Sequence, residues 1–465
     1  MSGVTDNATK TPSATIIVVG FMLFSMFFGA GNLIFPPQIG MEAGENYWPA
    51  ILGFLSTGVL LPVLAVIAVA VSGSGIRALA DRTHPMFGLV FSVMVYLSIG
   101  ALYAIPRTAN VAFGTGIGAL TGPEESGNAL WLLLFSIAFF AVSLWLSLRK
   151  GGIVDSLGRW LTPALLILIL ALIVVGALAL DGAPGTPTEK WSGNAFATGF
   201  LEGYLTMDSL AALVFGMVVI SSLRSKGVRG RGAIVSGTIS AGVVAAVLLA
   251  VIYLGLGNLG LRIGSGFANG AELLGTAANE TFGPVGAWLF AAIVLLACLT
   301  TAIGLITSTA EYFSTLLPKL GYGGWTVLFT LGGLLVSNLG LEAIISIAIP
   351  LNVALYPMAV ALVFITLLQA VLPFALRWTY RVPVAVATIF AVIDLFKALE
   401  MDPAGALPFL ADLPLYAESL AWALPVGAVA VVTLIIDWRA GLPAPKRGSA
   451  IEDDEDLRVY TTARA

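Results

Sequence analysis

A cluster of small residues with one amide side chain interrupts an apolar run near the N-terminus. The run covers residues 15–37, and Gly29-Ala30-Gly31-Asn32 lies about halfway along it. Glycine weakens a helix and lets a ligand approach the backbone closely. An opened helix would offer amide N–H groups to a carboxylate on one side of the break and carbonyl oxygens to a cation on the other. The alternative is that the small residues only let helices pack closely.

A second apolar run, 194–221, contains a lone carboxylate at mid-depth. Its central segment is Glu202-Gly203-Tyr204-Leu205-Thr206-Met207-Asp208-Ser209. A carboxylate such as Asp208 is costly near the centre of a bilayer and by default marks a functional site. The alternative is a structural acid, either protonated or capping a half-helix. Glu202 lies closer to one face, where a structural role and a gating role are both compatible with the sequence.

The composition places both segments in a membrane protein. Hydrophobic residues make up 58% of the chain, charged residues 10%, and the mean hydropathy is +0.98. Soluble globular chains have about 25% charged residues. So few charges cannot cover the surface of a water-soluble protein of 465 residues, so lipid must solvate much of it. The formal net charge of −4 does not indicate a nucleic-acid partner.

Apolar runs long enough to cross a bilayer recur along the whole chain. A span needs about 20 mainly apolar residues, and we predict an all-α protein with about 12 of them. The predicted spans are 15–37, 47–71, 86–120, 129–148, 153–180, 194–221, 232–257, 284–312, 325–340, 343–371, 381–398 and 417–437. No linker divides them, so we expect one transmembrane domain, 15–439, between a short tail, 1–14, and an acidic tail, 440–465.

The basic residues orient these spans. With the N-terminus in the cytoplasm, all of the 22 Lys and Arg residues fall on the inner side except Arg107, Lys190, Arg262 and Lys397. Lys and Arg accumulate in cytoplasmic loops. The pattern predicts a multi-pass protein of the inner or plasma membrane with both termini in the cytoplasm.

Several functional classes lack the residues that they need. The chain has one His and one Cys, so a His/Cys metal site is not expected, and no Gly-rich phosphate-binding loop with Lys occurs. We find no polar set along several helices that would line a channel. An intramembrane enzyme would need a nucleophile and base or an Asp pair. We therefore expect no enzymatic activity, no organic cofactor, no nucleic-acid partner and no obligatory protein partner; the expected surroundings are the lipid bilayer.

The two interrupted runs are the first and the sixth. Broken helices at matching positions in two halves indicate an inverted-repeat transporter with a binding site at mid-membrane. The repeats would be spans 1–5 and 6–10, with spans 11 and 12 added outside.

Two motifs carry a family resemblance. Phe27-Phe28-Gly29-Ala30-Gly31-Asn32-Leu33-Ile34-Phe35-Pro36-Pro37 resembles the first-helix motif of the branched-chain amino acid:cation symporter family, the BrnQ type, and 202–208 resembles its sixth-helix signature. The resemblance implies a LeuT-type fold with a 5+5 inverted repeat and discontinuous helices 1 and 6. It also implies Na⁺ as the coupling ion.

The resemblance extends to site residues of the wider LeuT-type group. It implies that Gly29 and Gly31 cradle a carboxylate and that Asn32 is a side-chain cation ligand. Ala297-Cys298-Leu299-Thr300-Thr301 resembles a sodium-binding segment. The implied ligands are the carbonyls of Ser25, Phe28 and Ala297 and the hydroxyls of Thr300 and Thr301. Those hydroxyls could instead bond to carbonyls of their own helix.

These implications combine into an expectation of alternating access. A branched-chain amino acid would place its carboxylate on amides of Gly29, Ala30 and Gly31. Its ammonium would meet carbonyls from Tyr204 through Thr206 to Met207, or Asp208, and its side chain would contact Phe27 and Met207. The alternative is a proton-coupled transporter of other neutral amino acids, with Asp208 as the proton carrier.

One basic residue outside this set, Arg107, lies within span 3. It lies toward the predicted outer end of that span. We expect it either to pair with an acid as an outer gate or to anchor the span at headgroup level.

Overall fold

A computed structural model of the chain describes residues 12–73, 75–121, 129–149, 154–401, 403–416 and 419–443. The acidic run of the predicted C-terminal tail and nearly all of the predicted N-terminal tail lie outside these residues. Within them the fold is helical, and the one β-bridge joins Phe374 to Pro443.

The described part of the chain contains 11 helical stretches that are long and apolar enough to cross a membrane, together with the shorter apolar helix Ser13–Phe27. These elements form the predicted set of twelve spans. In chain order the spans are Ser13–Phe27 with Ala30–Ala43, Tyr47–Leu55 continuing to Leu61–Ser72, Pro85–Leu97 continuing through Ala104–Val111 to Gly118–Thr121, Ala129–Ser147, Val154–Leu161 continuing to Thr162–Ala179, Ala195–Leu205 with Asp208–Ser225, Arg231–Ile263, Pro284–Leu316, Gly321–Ser337, Leu341–Val371, Trp378–Ala398 and Ala423–Ala440.

Several predicted boundaries need correction. Span 6 continues to Ser225, span 7 to Ile263 and span 8 to Leu316, span 9 begins at Gly321, and span 12 begins at Ala423. Hydropathy marks only the lipid-contacting part of a helix, whereas backbone hydrogen bonding lets the helix continue into polar sequence. Pro36 and Pro37 were expected to end the first run, yet both lie inside the helix Ala30–Ala43. Proline is tolerated in membrane helices where neighbouring groups satisfy the freed carbonyls.

Spans 1, 2, 6 and 7 pack together as one group. Span 7 contacts both halves of span 1, and the two halves of span 6 contact span 2. The backbones approach so closely that a Cβ added to Gly40 would lie 2.0 Å from the carbonyl oxygen of Gly257. A Cβ added to Gly199 would lie 1.9 Å from the carbonyl oxygen of Ala50. Small residues therefore set the spacing of this group.

Spans 3, 4, 8 and 9 form a second group that packs beside the first. Span 8 contacts spans 3, 4 and 9, and it also contacts the first half of span 1. Short π-helical turns, Ser98–Leu102 and Ala112–Ile117, interrupt span 3, and such turns often occur at functional sites. Span 10 packs against spans 2, 3 and 6, and span 11 packs against spans 10 and 12. The two broken helices consequently face span 3 and span 8.

Candidate functional site

The break in span 1 comprises Phe28 and Gly29. The first half ends with the amide of Phe28 donating to the carbonyl of Phe24 at 2.7 Å, and Gly29 is extended (φ −115°, ψ −161°). The second half begins at Ala30, and the amide of Leu33 donates to the carbonyl of Gly29 at 3.3 Å. The first amides of a helix and its last carbonyls have no partner within the helix. The break therefore presents donors on one side and acceptors on the other.

Span 8 supplies a hydroxyl to the carbonyl side of this break. The Oγ1 of Thr301 lies 3.4 Å from the carbonyl oxygen of Ser25 and 3.5 Å from that of Met26. A Cβ added to Gly29 would lie 2.8 Å from the same Oγ1. Three oxygens, two from span 1 and one from span 8, thus converge beside Gly29.

The other residues of the implied cation set have partners of their own. The hydroxyl of Thr300 donates to the carbonyl of Ala297 at 3.0 Å, which is the alternative bonding within the helix. The hydroxyl of Ser25 donates to the carbonyl of Met22 at 2.9 Å, so only its carbonyl faces Thr301. The ring of Phe28 is buried and stacks on Phe24 with ring centroids 5.2 Å apart.

The break in span 6 lies at Thr206 and Met207. Met207 has a left-handed backbone (φ +66°), which is uncommon for a residue with a side chain and costs about 1–3 kcal/mol. Two contacts from span 10 support this backbone conformation. The side-chain Nδ2 of Asn352 donates to the sulfur of Met207 at 3.3 Å, and the hydroxyl of Tyr356 donates to the carbonyl of Tyr204 at 2.6 Å. The hydroxyl of Thr206 donates to the carbonyl of Gly203 at 2.8 Å.

A buried polar cluster joins the second halves of the two broken spans. The Nδ2 of Asn32 donates to Oδ2 of Asp208 at 2.5 Å and also to the hydroxyl of Tyr253 in span 7. Asn32 is 2% exposed and Asp208 is 4% exposed. The predicted amide and the predicted carboxylate therefore contact each other, although they are far apart in the sequence.

Both breaks open onto one central cavity, with room of about 50 Å³ for water-sized molecules. Eight of the predicted binding residues line it: Phe27, Gly29, Gly31, Asn32, Thr206, Met207, Asp208 and Thr301. Ser25, Phe28, Ala297 and Thr300 are buried but do not line this cavity, and Tyr204 lines a different one. The backbone of Ala30 begins the second half of span 1.

Span 3 contributes a wall that the sequence analysis did not assign to the site. Ile99, Ala104, Arg107 and Thr108 line the central cavity. Arg107 therefore lies beside the break in span 1 instead of at headgroup level, and a Cβ added to Gly31 would be 2.9 Å from its Nη2. The sequence did carry a signal for this placement, namely an arginine within an apolar span. Such a residue normally faces the protein interior. The remaining wall is apolar, from Met26, Ala211, Phe215 and Leu305.

A second, larger cavity of about 220 Å³ lies on the other side of Met207, which lines both. Its walls include Tyr103, Glu202, Tyr204, Asn352, Tyr356 and Trp422. The carboxylate of Glu202 pairs with the ammonium of Lys190 at 2.5 Å. By the predicted orientation this cavity is on the outer side.

The fold matches solved transporter structures over nearly its full length. Mhp1, a nucleobase-cation-symport-1 family transporter, in a closed conformation with bromovinylhydantoin bound, aligns with a TM-score of 0.58 at 13% identity, covering 98% of this chain and 99% of that one. Its inward-facing conformation aligns with a TM-score of 0.52 at 16% identity, covering 98% of each chain. The chain thus has the LeuT-type fold with discontinuous spans 1 and 6.

Sequence comparison identifies the family. Residues 12–440 match the family described as "Branched-chain amino acid transport protein", to which this chain belongs. It is 45% identical over 424 residues to the branched-chain amino acid permease BrnQ of Corynebacterium glutamicum, covering 91% of this chain and 95% of that protein. It is 40% identical to BrnQ of Escherichia coli K12 and to the branched-chain amino acid transport system 2 carrier protein of Pseudomonas aeruginosa, covering 92% of this chain and 97% of each.

Proposed function

We propose that the protein is a secondary active importer of leucine, isoleucine and valine, coupled to Na⁺ symport by alternating access. One observation carries the proposal: the breaks of spans 1 and 6 open onto the same cavity, with the hydroxyl of Thr301 at the carbonyl side of the first break. Membership of the branched-chain amino acid transport family supports the substrate class.

The substrate would bind with its two charged groups at the two breaks. The amides at Gly29, Ala30 and Gly31 begin a half-helix, and a helix N-terminus favours a carboxylate. The ammonium would meet Asp208 and the hydroxyl of Thr206, both on the cavity wall. The carbonyl of Tyr204 is a weaker candidate than the sequence suggested, because it already accepts from the Tyr356 hydroxyl and from the Met207 amide at 3.0 Å.

The aliphatic side chain would contact the apolar part of the wall. Phe27, Met207 and Phe215 contribute large apolar groups there. An apolar pocket distinguishes side chains that differ by one methylene by only about 1–3 kcal/mol. Overlapping uptake of the three branched-chain amino acids follows from such a wall.

The cation would bind between span 1 and span 8. Hard cations take oxygen ligands, and the carbonyls of Ser25 and Met26 converge with the hydroxyl of Thr301. The family resemblance adds Phe28, Ala297, Thr300 and the side chain of Asn32. An ion that joins the break of span 1 to span 8 would favour one arrangement of the two helix groups, which couples substrate binding to the ion gradient.

The test is uptake of labelled leucine into proteoliposomes under an imposed Na⁺ gradient. We expect accumulation that unlabelled isoleucine and valine inhibit and that replacement of Na⁺ by choline abolishes. Absence of leucine uptake under every ion gradient would reject the proposed function.

A second candidate is proton coupling through Asp208 with another neutral amino acid as substrate. It is favoured by the buried contact between Asp208 and Asn32 on the cavity wall. In that case choline would replace Na⁺ without effect, and an imposed pH gradient would drive uptake.

We further propose that the protein lies in the inner or plasma membrane with both termini in the cytoplasm, as the basic residues predict. Reporter fusions at the two termini test this orientation. A periplasmic or external signal from either terminus would reject it.

A further inference from the structure

Arg107 is a cation on the wall of the central cavity, held in a defined orientation. Its Nη1 donates to the hydroxyl of Tyr103, one helical turn earlier, at 2.7 Å. Its guanidinium carbon lies 5.3 Å from the centre of the same ring. Nη2 points to the break in span 1, where a Cβ on Gly31 would be 2.9 Å away.

The guanidinium has no carboxylate partner in the part of the chain that the structure describes. Other cations in that part of the chain do have one, for example Arg77 with Asp81 at 3.9 Å and Lys190 with Glu202 at 2.5 Å. A charge within a membrane protein is costly and is normally paired or functional. A carboxylate brought by a ligand would provide the missing partner.

The opposite charge lies on the same cavity but is engaged elsewhere. Asp208 lines the cavity, and its Oδ2 accepts from Asn32 in span 1. The wall therefore holds one cation, at the amide side of the first break, and one anion, at the start of the second half of span 6. That separation is complementary to a zwitterion.

We propose that Arg107 binds the substrate carboxylate together with the amides at Gly29 and Gly31, and so makes the site selective for free amino acids. The inference rests on the proposed function and deepens it. A guanidinium has five donors, which suit the two oxygens of a carboxylate, and only Nη1 is engaged by Tyr103. Amines and amino alcohols with the same aliphatic side chain lack the group that Arg107 recognises.

Tyr103 is a positioning residue in this arrangement. Its hydroxyl and ring hold the guanidinium from span 3, so that Nη2 faces the break. Loss of the hydroxyl alone removes one orienting bond and leaves the charge and the ring in place.

The competing explanation is that Arg107 only balances the charge of Asp208 across the cavity. Only the charge would then matter, so Arg107→Lys, which keeps the charge, would bind leucine and leucinol as the wild type does. Leucinol keeps the side chain and the ammonium of leucine and replaces the carboxylate with a hydroxymethyl group, so a loss confined to leucine in variants that keep the charge marks a contact to the carboxylate.

The experiment measures the inhibition constants of leucine and leucinol against labelled leucine, with purified wild-type protein, Arg107→Gln, Arg107→Lys and Tyr103→Phe. Arg77→Gln is the matched control, since its partner Asp81 lies in the same short surface helix. We expect Arg107→Gln to bind leucine about 10- to 100-fold more weakly. Its constant for leucinol should stay within about threefold of the wild type, since no contact to a carboxylate is lost.

The decisive quantity is the inhibition constant of leucinol divided by that of leucine. It should fall about tenfold in Arg107→Gln, less in Arg107→Lys, and several-fold in Tyr103→Phe. Arg107→Lys and Tyr103→Phe keep the test valid if Arg107→Gln does not fold. An unchanged ratio in Arg107→Lys and Tyr103→Phe, which both keep the positive charge, or equal loss of both ligands in them, would overturn the proposal for Arg107. Wild-type protein that binds no leucine would instead reject the proposed function.

Discussion

The hydroxyl of Thr301 in span 8 lies 3.4 Å from the carbonyl oxygen of Ser25 at the broken end of span 1. This contact joins the group of spans 1, 2, 6 and 7 to the group of spans 3, 4, 8 and 9 at the point where span 1 has lost its own hydrogen bonds. A ligand or ion held there contacts both groups at once. Binding at this position would therefore be coupled to a movement of spans 1, 2, 6 and 7 relative to spans 3, 4, 8 and 9.

Thr301→Ala tests the cation site. The substitution removes the hydroxyl that span 8 places beside the carbonyls of Ser25 and Met26, so the proposed cation loses one of its three oxygen ligands there. We expect the Na⁺ concentration for half-maximal leucine uptake to rise about tenfold or more, because contacts to a charged group contribute about 1.5–3 kcal/mol.

The control for this prediction is Thr307→Ala, on the same helix. The hydroxyl of Thr307 is buried and has no hydrogen-bond partner within the described residues, so its removal should leave Na⁺ dependence unchanged. Identical Na⁺ curves for Thr301→Ala and Thr307→Ala would argue against the site.

Gly31→Ala tests the amide side of the break. The added Cβ would lie 2.9 Å from Nη2 of Arg107 and would occupy the space assigned to the carboxylate. Nη2 is the far end of a flexible side chain, so it shifts to admit the Cβ, and both the shift and the added carbon take space from the carboxylate. We expect leucine affinity, measured by competition, to fall about 10- to 100-fold.

Gly427→Ala in span 12 is the matched control, because nothing lies within 4 Å of its added Cβ. It should bind leucine as the wild type does. Unaltered leucine binding by Gly31→Ala would exclude a carboxylate at this position.

Asp208→Asn separates the two coupling schemes. An asparagine can still present an oxygen to Nδ2 of Asn32, so the contact between spans 1 and 6 is retained while the charge is lost. If Asp208 meets the ammonium, leucine affinity falls about tenfold or more and the response to Na⁺ remains. If Asp208 carries the proton, exchange of the neutral amino acid that the protein transports continues, but its accumulation driven by a pH gradient stops.

Asp412→Asn, at an exposed carboxylate, is the control and should keep wild-type affinity and accumulation. Wild-type affinity combined with wild-type accumulation in Asp208→Asn would show that Asp208 has neither role.

Met207→Ala tests the assignment of the substrate side chain. Met207 lines both cavities, so its truncation widens the apolar wall and joins the two spaces. We expect leucine to be bound more weakly and phenylalanine to be admitted, a change in their relative uptake of about tenfold. Met86→Ala, at a side chain that is 63% exposed, should keep the wild-type preference. The same preference in Met207→Ala would remove this residue from the pocket.

Much of the fold could be predicted from the sequence, because each helix that crosses the lipid needs a continuous apolar stretch of about 20 residues. Apolar length defined the spans, and a glycine cluster and a lone carboxylate marked the broken ones. The break in span 1 was nevertheless expected at Gly29-Ala30-Gly31-Asn32 and comprises Phe28 and Gly29. The second half of span 1 begins at Ala30, directly after a glycine, because the first amides of a helix need no partner within the helix. The composition of the glycine cluster therefore does not show at which residue that half begins.

The left-handed Met207 and the placement of Arg107 depend on tertiary contacts that the sequence does not display. Methionine has no preference for a positive φ, and it is span 10, through Asn352 and Tyr356, that supports the turn. The bounds of span 3 were predicted almost as found, but the packing that brings Arg107 beside Gly31 of span 1 is a contact between residues far apart in the chain. The pairing of Asn32 with Asp208 likewise appears only when the two broken helices are packed together.

The most direct test of the account is leucine binding to the purified protein by calorimetry, from low to saturating Na⁺ at constant ionic strength with choline. Because the ion and the substrate share the break in span 1, Na⁺ should tighten leucine binding, and leucine should tighten Na⁺ binding by the same factor. Leucine affinity that is the same in choline and in Na⁺ would contradict a shared site between spans 1, 6 and 8.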